Sequence, residues 1–465
     1  MTIALLIPDG ASVRNFLLGD FIQKAIKNRH FTALHNIPTD RVEQFQVQFG
    51  SKVNWHPLLP YRDTALSFTL RNALVSAHMY CVNTRAMRFN LGLPVNGSWR
   101  TKSAVSTARV VGRAIAALGY GLGALDHMHR STVDRFPEVS HYLRLFEDNV
   151  PSVLFCAHQR PPEILPPVLA AKKLKIPTAT FIFSWDNLSS KGRIAAPFDH
   201  YLVWSDQMRE ELLTYYPEIQ EDRVHVTGTP QFDPYADKNL LWSRAEFLRR
   251  IGAEANRPLI CFSGGDITIC PEDQDHVRVL MELIRAGRIV GNPQVLVRPS
   301  PVDDGRRYAA VLAEFPEIIY SPPAWVHSER DRWDRFTPLV EDVQFLANLT
   351  QHADLNINVA STMTLDFAVR DKPVINIAFD VGDPPPFGVP LWSHHYRFEH
   401  YRPVIDFRAA RFARSPEELA EHVNAYLKDP ALDRDGRRRF VDLEVSEPIG
   451  QAANRILNVL EQIAN

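Results

Sequence analysis

The chain has 465 residues, 45% hydrophobic and 23% charged, with a formal net charge of -2. That length exceeds what one growing core supports, so two large domains are expected. The near-neutral balance, with no basic block, excludes general nucleic-acid binding. Cysteines stand at 81, 156, 261 and 270, with neither paired metal-ligand spacing nor a disulfide framework, and Cys156 and Cys261 sit in apolar strand patterns as small core residues.

The opening MTIALLIPDG is too brief an apolar stretch for a secretory signal and reads as the first strand of a cytoplasmic enzyme. A buried strand Ile3–Ile7, a helix Val13–Asn28 and a strand Phe31–Asn36 form an opening βαβ arrangement of a mostly parallel sheet. Asp9, Arg14, Asn15 and Asp20 form a polar lip after the first strand. Residues 62–149 read as a mainly helical insertion. No apolar run approaches 18 residues, so no spanning helix is expected. Ala104–Leu125 is apolar with two arginines and glycines at 119, 121 and 123. A core or interdomain role is preferred there, with peripheral contact at the inner face of a membrane as the alternative.

Alternation resumes with strands Ser152–Ala157, Thr178–Phe183, His200–Trp204 and Val224–Thr227, closing a first domain over residues 1–235. Two of these strands end in polar clusters, Ala157-His158-Gln159-Arg160 and Phe183-Ser184-Trp185-Asp186-Asn187-Leu188-Ser189-Ser190-Lys191-Gly192. His158 is a candidate base for a hydroxyl proton, and Arg160 or Lys191 would offset developing phosphate charge. Asp186 is an alternative base, the group that orients His158, or part of an Asp-Asn turn.

A second β/α domain is expected over residues 243–440. It contains strands Leu259–Phe262 and Gln294–Arg298, a strand near Glu317–Tyr320, helices Gln274–Arg285 and Val340–His352, and the strand–helix–strand unit Ala353–Ile377. Ser263-Gly264-Gly265-Asp266 follows a strand directly. Its glycines permit backbone N–H groups to approach a phosphate, although the pattern is neither GxGxxG nor a Walker loop and also fits an ordinary turn. Arg298 can clamp a phosphate with its planar fork, or form a salt bridge at the rim. Ser361 or Thr362 can cap a helix Met363–Arg370, whose N-terminus favours an anion. Asp366, four residues after Thr362, can address a sugar hydroxyl on the same ligand; an ordinary capped αβ unit is the plainer reading.

The loop Gly382-Asp383-Pro384-Pro385-Pro386 reads as restrained by its prolines, and the nearby His394-His395 and His400-Tyr401 read as cleft rim or core. The adjacent histidines lack a convincing third ligand, so no metal site is expected. Ser415, Pro416 and Glu418 supply start signals for a helix Glu417–Leu427. A last amphipathic helix, Ile449–Ile463 in the segment 441–465, is expected to pack back on the first domain. Neither GxSxG nor HExxH is present.

VTGTPQFDPY, FSGGD, VRPSP and ADLNINVASTMTLDFAVRDKPVINI together resemble the GT-B glycosyltransferases. FSWDNLSSKG is similar to a segment of bacterial surface-polysaccharide and CDP-glycerol glycerophosphotransferase-like proteins. The resemblance implies an α/β fold of two facing Rossmann-like domains. It implies sugar transfer in envelope polysaccharide or glycan synthesis, from a nucleotide-activated donor, a substrate rather than a cofactor, to a glycan or lipid-linked acceptor. By the same resemblance Gly264, Gly265, Arg298, Ser361 and Thr362 would meet phosphate and Asp366 the ribose, while the first domain would supply the base. The absence of a clear metal-binding Asp-x-Asp motif at a strand end fits the metal-independent transfer that the resemblance implies. Polyol-phosphate transfer, nucleotide-sugar epimerisation or hydrolysis, and noncatalytic glycan binding are the alternatives.

Overall fold

Seven parallel strands make the first sheet of the computed structural model: β1 Thr2–Ile7, β2 His30–His35, β3 Val53–Pro57, β4 Val153–Cys156, β5 Thr178–Phe181, β6 His200–Val203 and β7 Val224–Val226. Their order is β3-β2-β1-β4-β5-β6-β7. The structure describes residues 1–267, 269–326, 336–381 and 391–465. The chain divides into two compact units, one formed by Met1–Pro230 with Gln451–Asn465, the other by Gln231–Gly450.

Ile3–Ile7 of β1 and all of β4 are apolar, as expected where helices cover both faces of a parallel sheet. Ile3 through Ile7 are all inaccessible to solvent. Phe16 meets Phe21 and Phe155 edge-on, with centroids 5.2 and 5.3 Å apart, the geometry aromatic quadrupoles prefer. The expected helix Val13–Asn28 is two helices, Gly10–Phe16 and Asp20–Ala25, because Gly19 is extended at φ -98°, ψ -170° and caps the second.

Five helices lie between β3 and β4: Ala65–Val82, Arg85–Gly92, Trp99–Leu118, Leu122–Val133 and Pro137–Asp148. The apolar run 104–125 is broken where Gly119 and Gly121 take φ of 73° and 100°, the left-handed region that favours glycine. Gly112 lets Trp99–Leu118 approach Ala65–Val82 closely, since a Cβ there would stand 2.7 Å from the Ala77 nitrogen. Among the described residues no helix is long and apolar enough to cross a membrane. The last helix, Ala452–Ala464, buries Ile456, Leu457 and Leu460. It packs on Asp20–Ala25 and β4 within the first unit, with Glu461 paired to Arg29.

The second unit contains β8 Leu259–Ser263, β9 Gln294–Arg298, β10 Ile319–Tyr320, β11 Trp325–Val326, β12 Thr337–Pro338, β13 Leu355–Asn358, β14 Val374–Ile377 and β15 Arg411–Ala413. Six of them form a parallel sheet in the order β10-β9-β8-β13-β14-β15, and β11 pairs antiparallel with β12. Ser415 caps the helix Pro416–Lys428 as expected, accepting the Glu418 N–H at 3.2 Å.

In each sheet the strand order reverses once, between β1 and β4 and between β8 and β13. The carboxyl ends of strands at such a reversal diverge and leave a crevice, the usual ligand position in an open α/β sheet.

Candidate functional site

In the first unit, β1 and β4 run side by side with Leu6 opposite Cys156, so the residues after each strand end abreast. Asp9 caps the helix Gly10–Phe16; its Oδ1 accepts from Ser12 N–H at 2.9 Å and Ser12 Oγ–H at 2.8 Å. Its Oδ2 bonds Nδ1 of His158, and both side chains are buried. Burial raises the Asp9 pKa, but the His158 charge and the bonds from His158 and Ser12 outweigh it and hold the group below its ordinary value. An ionised Asp9 accepts from Nδ1–H, so the other ring nitrogen, Nε2, takes no part in this pair. Nε2 is buried without a hydrogen-bond partner among the described residues. The ring lies 4.4 Å from that of Phe183. A carboxylate-oriented imidazole with its other nitrogen unpaired is equipped for proton transfer.

The expectation that Asp186 orients His158 is corrected. Asp186 accepts from Ser184 Oγ at 2.6 Å, Asn187 Nδ2 at 3.1 Å and Ser190 Oγ at 2.9 Å, a local Asp-Asn turn. Lys191 Nζ stands 3.9 Å from Asp186 Oδ2. Arg160 is half-buried. Burial pushes its guanidinium below the ordinary value, opposed by the nearby charges of Asp186 and Asp9. Gln159 ties the two strand ends together, donating to Asn187 Oδ1 at 3.1 Å and accepting the Phe183 N–H at 3.0 Å.

In the second unit, Gly264 N–H donates to the Arg298 carbonyl at 2.8 Å and Gly265 N–H to Asp273 Oδ2 at 2.6 Å. Those hydrogens are engaged internally, which corrects the expectation that they meet phosphate. Glycine is needed at 264 for packing instead, because a Cβ would stand 2.3 Å from the Tyr308 hydroxyl. Arg298 is 6% exposed and donates from Nη2 to Asp342 Oδ1 at 2.8 Å. Its Nη1 is buried without a hydrogen-bond partner among the described residues.

Ala360 takes φ 42°, and Ser361 Oγ accepts the Met363 N–H at 3.3 Å. Thr362 precedes the helix and makes no side-chain cap bond. The helix is Met363–Ala368, shorter than expected, because Asp371 at φ 53° returns its N–H to the Ala368 carbonyl. Asp366 is 3% exposed, and its Oδ1 accepts from Tyr235 OH at 2.6 Å and Gln231 Nε2 at 3.3 Å. The expected ribose contact is not seen here: this carboxylate oxygen is engaged within the second unit. The loop Gly382–Pro386 lies outside the described residues.

Beneath these strand ends lies a buried polar network that sequence reasoning only partly reached. Ser263 Oγ donates to Asn356 Oδ1 at 2.6 Å and Asn376 Nδ2 to Asn358 Oδ1 at 2.8 Å. Tyr401, read as cleft rim or core, is core at 1% exposure; its hydroxyl donates to Asn376 Oδ1 at 3.0 Å and lies 2.9 Å from Thr364 Oγ1. Asn356 and Asn358 share one face of an otherwise apolar strand, the signal from which the network could have been found. Paired amides and hydroxyls of this kind fix the strand ends, and Asn356 Nδ2 is left buried without a partner among the described residues.

Both units are Rossmann-like, parallel sheets flanked by helices, and the chain is of the GT-B type with a helical insertion. No protein-family model matches it, and no curated protein matches it by sequence. Solved structures do. A UDP-GlcNAc 2-epimerase from Neisseria meningitidis bound to UDP-GlcNAc is similar over 99% of this chain and 100% of that one, with TM-score 0.54 and 10% identity. A putative UDP-N-acetylglucosamine 2-epimerase from Listeria monocytogenes is similar over 99% and 96%, with TM-score 0.55 and 11% identity. A glycosyltransferase from Rickettsia africae ESF-5 is similar over 99% and 98%, with TM-score 0.51 and 11% identity. At such identities the likeness is one of fold. The expectation of a metal-independent glycosyltransferase is nevertheless corrected, because 2-epimerases, whose reaction is an isomerisation, recur among the similar structures.

Proposed function

We propose that this protein isomerises a nucleotide sugar, as an enzyme of the UDP-N-acetylglucosamine 2-epimerase type. The observation that carries the reading is end-to-end similarity to a 2-epimerase that binds UDP-GlcNAc, over 99% of this chain and all of the other. Inverting a carbon that bears hydrogen requires one bond at that carbon to break and re-form from the opposite face. Removing the C2 proton as the electron pair expels the nucleoside diphosphate from C1, then re-adding the diphosphate with a proton delivered to the opposite face, does this. The residue that takes the first proton must be held in one tautomer. Asp9 holds His158 in that way, and Nε2 is the proposed proton-carrying atom. Nη1 of Arg298, the buried donor left over from its pairing with Asp342, is the proposed contact for the nucleotide diphosphate. The reading needs no acceptor and places the protein in the cytoplasm, where nucleotide sugars are made.

Incubation with UDP-GlcNAc in deuterium oxide tests it. Proton transfer at C2 is expected to place deuterium on that carbon, visible as loss of its proton resonance. His158→Gln is expected to slow the loss by about 100-fold or more. Retention of the C2 proton in wild type during turnover would sink the assignment.

A further inference from the structure

Downstream of β8, Cys270, Asp273 and His276 follow one another at three-residue spacing. Asp273 opens the helix Asp273–Arg285 and His276 stands about one turn on, so the two share a face. All three are buried, at 6%, 0% and 2% exposure. Cys270 Sγ lies 3.8 Å from His276 Nδ1, and one ligand atom from each residue falls within 4.8 Å of the others. A tetrahedral centre with bonds of about 2.3 Å to sulfur and about 2.05 Å to nitrogen has an S–N edge of about 3.6 Å. The observed separation nearly matches it.

The remaining polar atoms are arranged as such a centre requires. Asp273 Oδ2 accepts from Gly265 N–H at 2.6 Å, Arg307 Nη2 at 3.1 Å and Tyr308 OH at 3.5 Å. The carboxylate also takes a bond from the Cys270 thiol, the S–H that a cation would replace, and its buried Oδ1 has no nitrogen or oxygen donor among the described residues. His276 Nε2 lies 3.0 Å from the Phe379 carbonyl and must donate to it. Nδ1 is thereby left with its lone pair towards Cys270, held as metal-bound histidines are held by their outer hydrogen bond. Arg307 also pairs with Asp303 through Nε at 2.6 Å. The two aspartates, one arginine, one thiolate and one divalent cation sum to neutrality, which favours burying them together.

We propose that Cys270 Sγ, Asp273 Oδ1 and His276 Nδ1 bind one thiophilic divalent cation of the zinc class, with a fourth position left to a non-protein ligand. The mixed sulfur, nitrogen and oxygen set suits zinc rather than magnesium or calcium. The metal–sulfur bond forms as the S–H bond breaks, and the proton passes to solvent. Asp273 also holds Gly265, and His276 also holds the Phe379 carbonyl just beyond β14. The cation therefore clamps the turn after β8 to the chain after β14 in the second unit. Its role is positioning, and no reaction step passes through it.

The test is titration of the full chain, purified metal-free, with Co²⁺ as the optical probe. One equivalent is expected to bind, giving a thiolate-to-cobalt charge-transfer band that Zn²⁺ abolishes by displacement. Cys270→Ser should remove the band and Cys261→Ser should keep it. His276→Asn should weaken binding at least about 10-fold. Far-UV circular dichroism checks that each variant is folded, and the wild-type spectrum decides the matter even if a variant is not. No thiolate band at stoichiometric Co²⁺, or an equal band in folded Cys270→Ser, overturns the proposal. The readout involves no nucleotide, so its failure leaves the isomerase reading untouched.

Discussion

Asp9 and His158, 149 positions apart in sequence, meet because β1 and β4 are neighbours. His158 was legible as a polar residue at a strand end, but its partner was not. Choosing Asp9 over Asp186 depends on which strands pair, and Asp186 carries the local signature of a turn. If Asp9 orients His158, Asp9→Asn should lower kcat about 10²–10⁴-fold with KM little changed, because the amide favours the wrong tautomer. A kcat within about threefold of wild type in a folded variant would remove Asp9 from the mechanism. Two other histidines report on stability. Burial pushes His35 down to about 4 and His78 down to about 3. Below about pH 6.5 the unfolded chain binds protons that the folded chain refuses, so stability is complete above that pH and falls as acid is added. The loss should reach on the order of 2–3 kcal/mol for each histidine by about pH 4.5. Thermal melts across this range should show it, and His78→Phe, which keeps the ring packed 4.6 Å from Tyr216, should flatten the slope. Equal slopes in the two proteins would contradict the buried-neutral assignment.

At the scale of elements, buried strands and well-punctuated helices were the legible parts. Gln294–Arg298 and Val340–His352 have the same limits in the structure as in the sequence reading. β3 and β15 were missed for a physical reason. Only Val53 of β3 is buried and β15 has three residues, so neither shows a run or an alternation to read. The Gly264-Gly265 turn misled for another reason, since the same glycines that admit a phosphate also admit the Tyr308 hydroxyl. Close packing is testable at Gly112, where an added Cβ meets backbone that cannot move aside. Gly112→Val should destabilise the first unit by about 1–3 kcal/mol in denaturant melts. Gly123→Ala, with nothing within 4 Å of the new Cβ, should not destabilise it. Equal stability of Gly112→Val and wild type would refute the helix contact.

Over the whole molecule, periodicity revealed two α/β cycles, and the motif resemblance gave the right architecture. It did not give the reaction, because one fold hosts transferases and isomerases alike and function resides in the site. The polar strand ends of the two units suit either chemistry, and the proposed isomerisation rests on the recurrence of 2-epimerases among structures of similar fold. The most direct test is incubation of the purified protein with UDP-GlcNAc and no acceptor, followed by proton NMR. Isomerisation predicts that a second nucleotide sugar, epimeric at C2, accumulates to a constant ratio. Substrate left unchanged by protein shown to bind it, or converted only when a hydroxyl acceptor is added, would contradict the account.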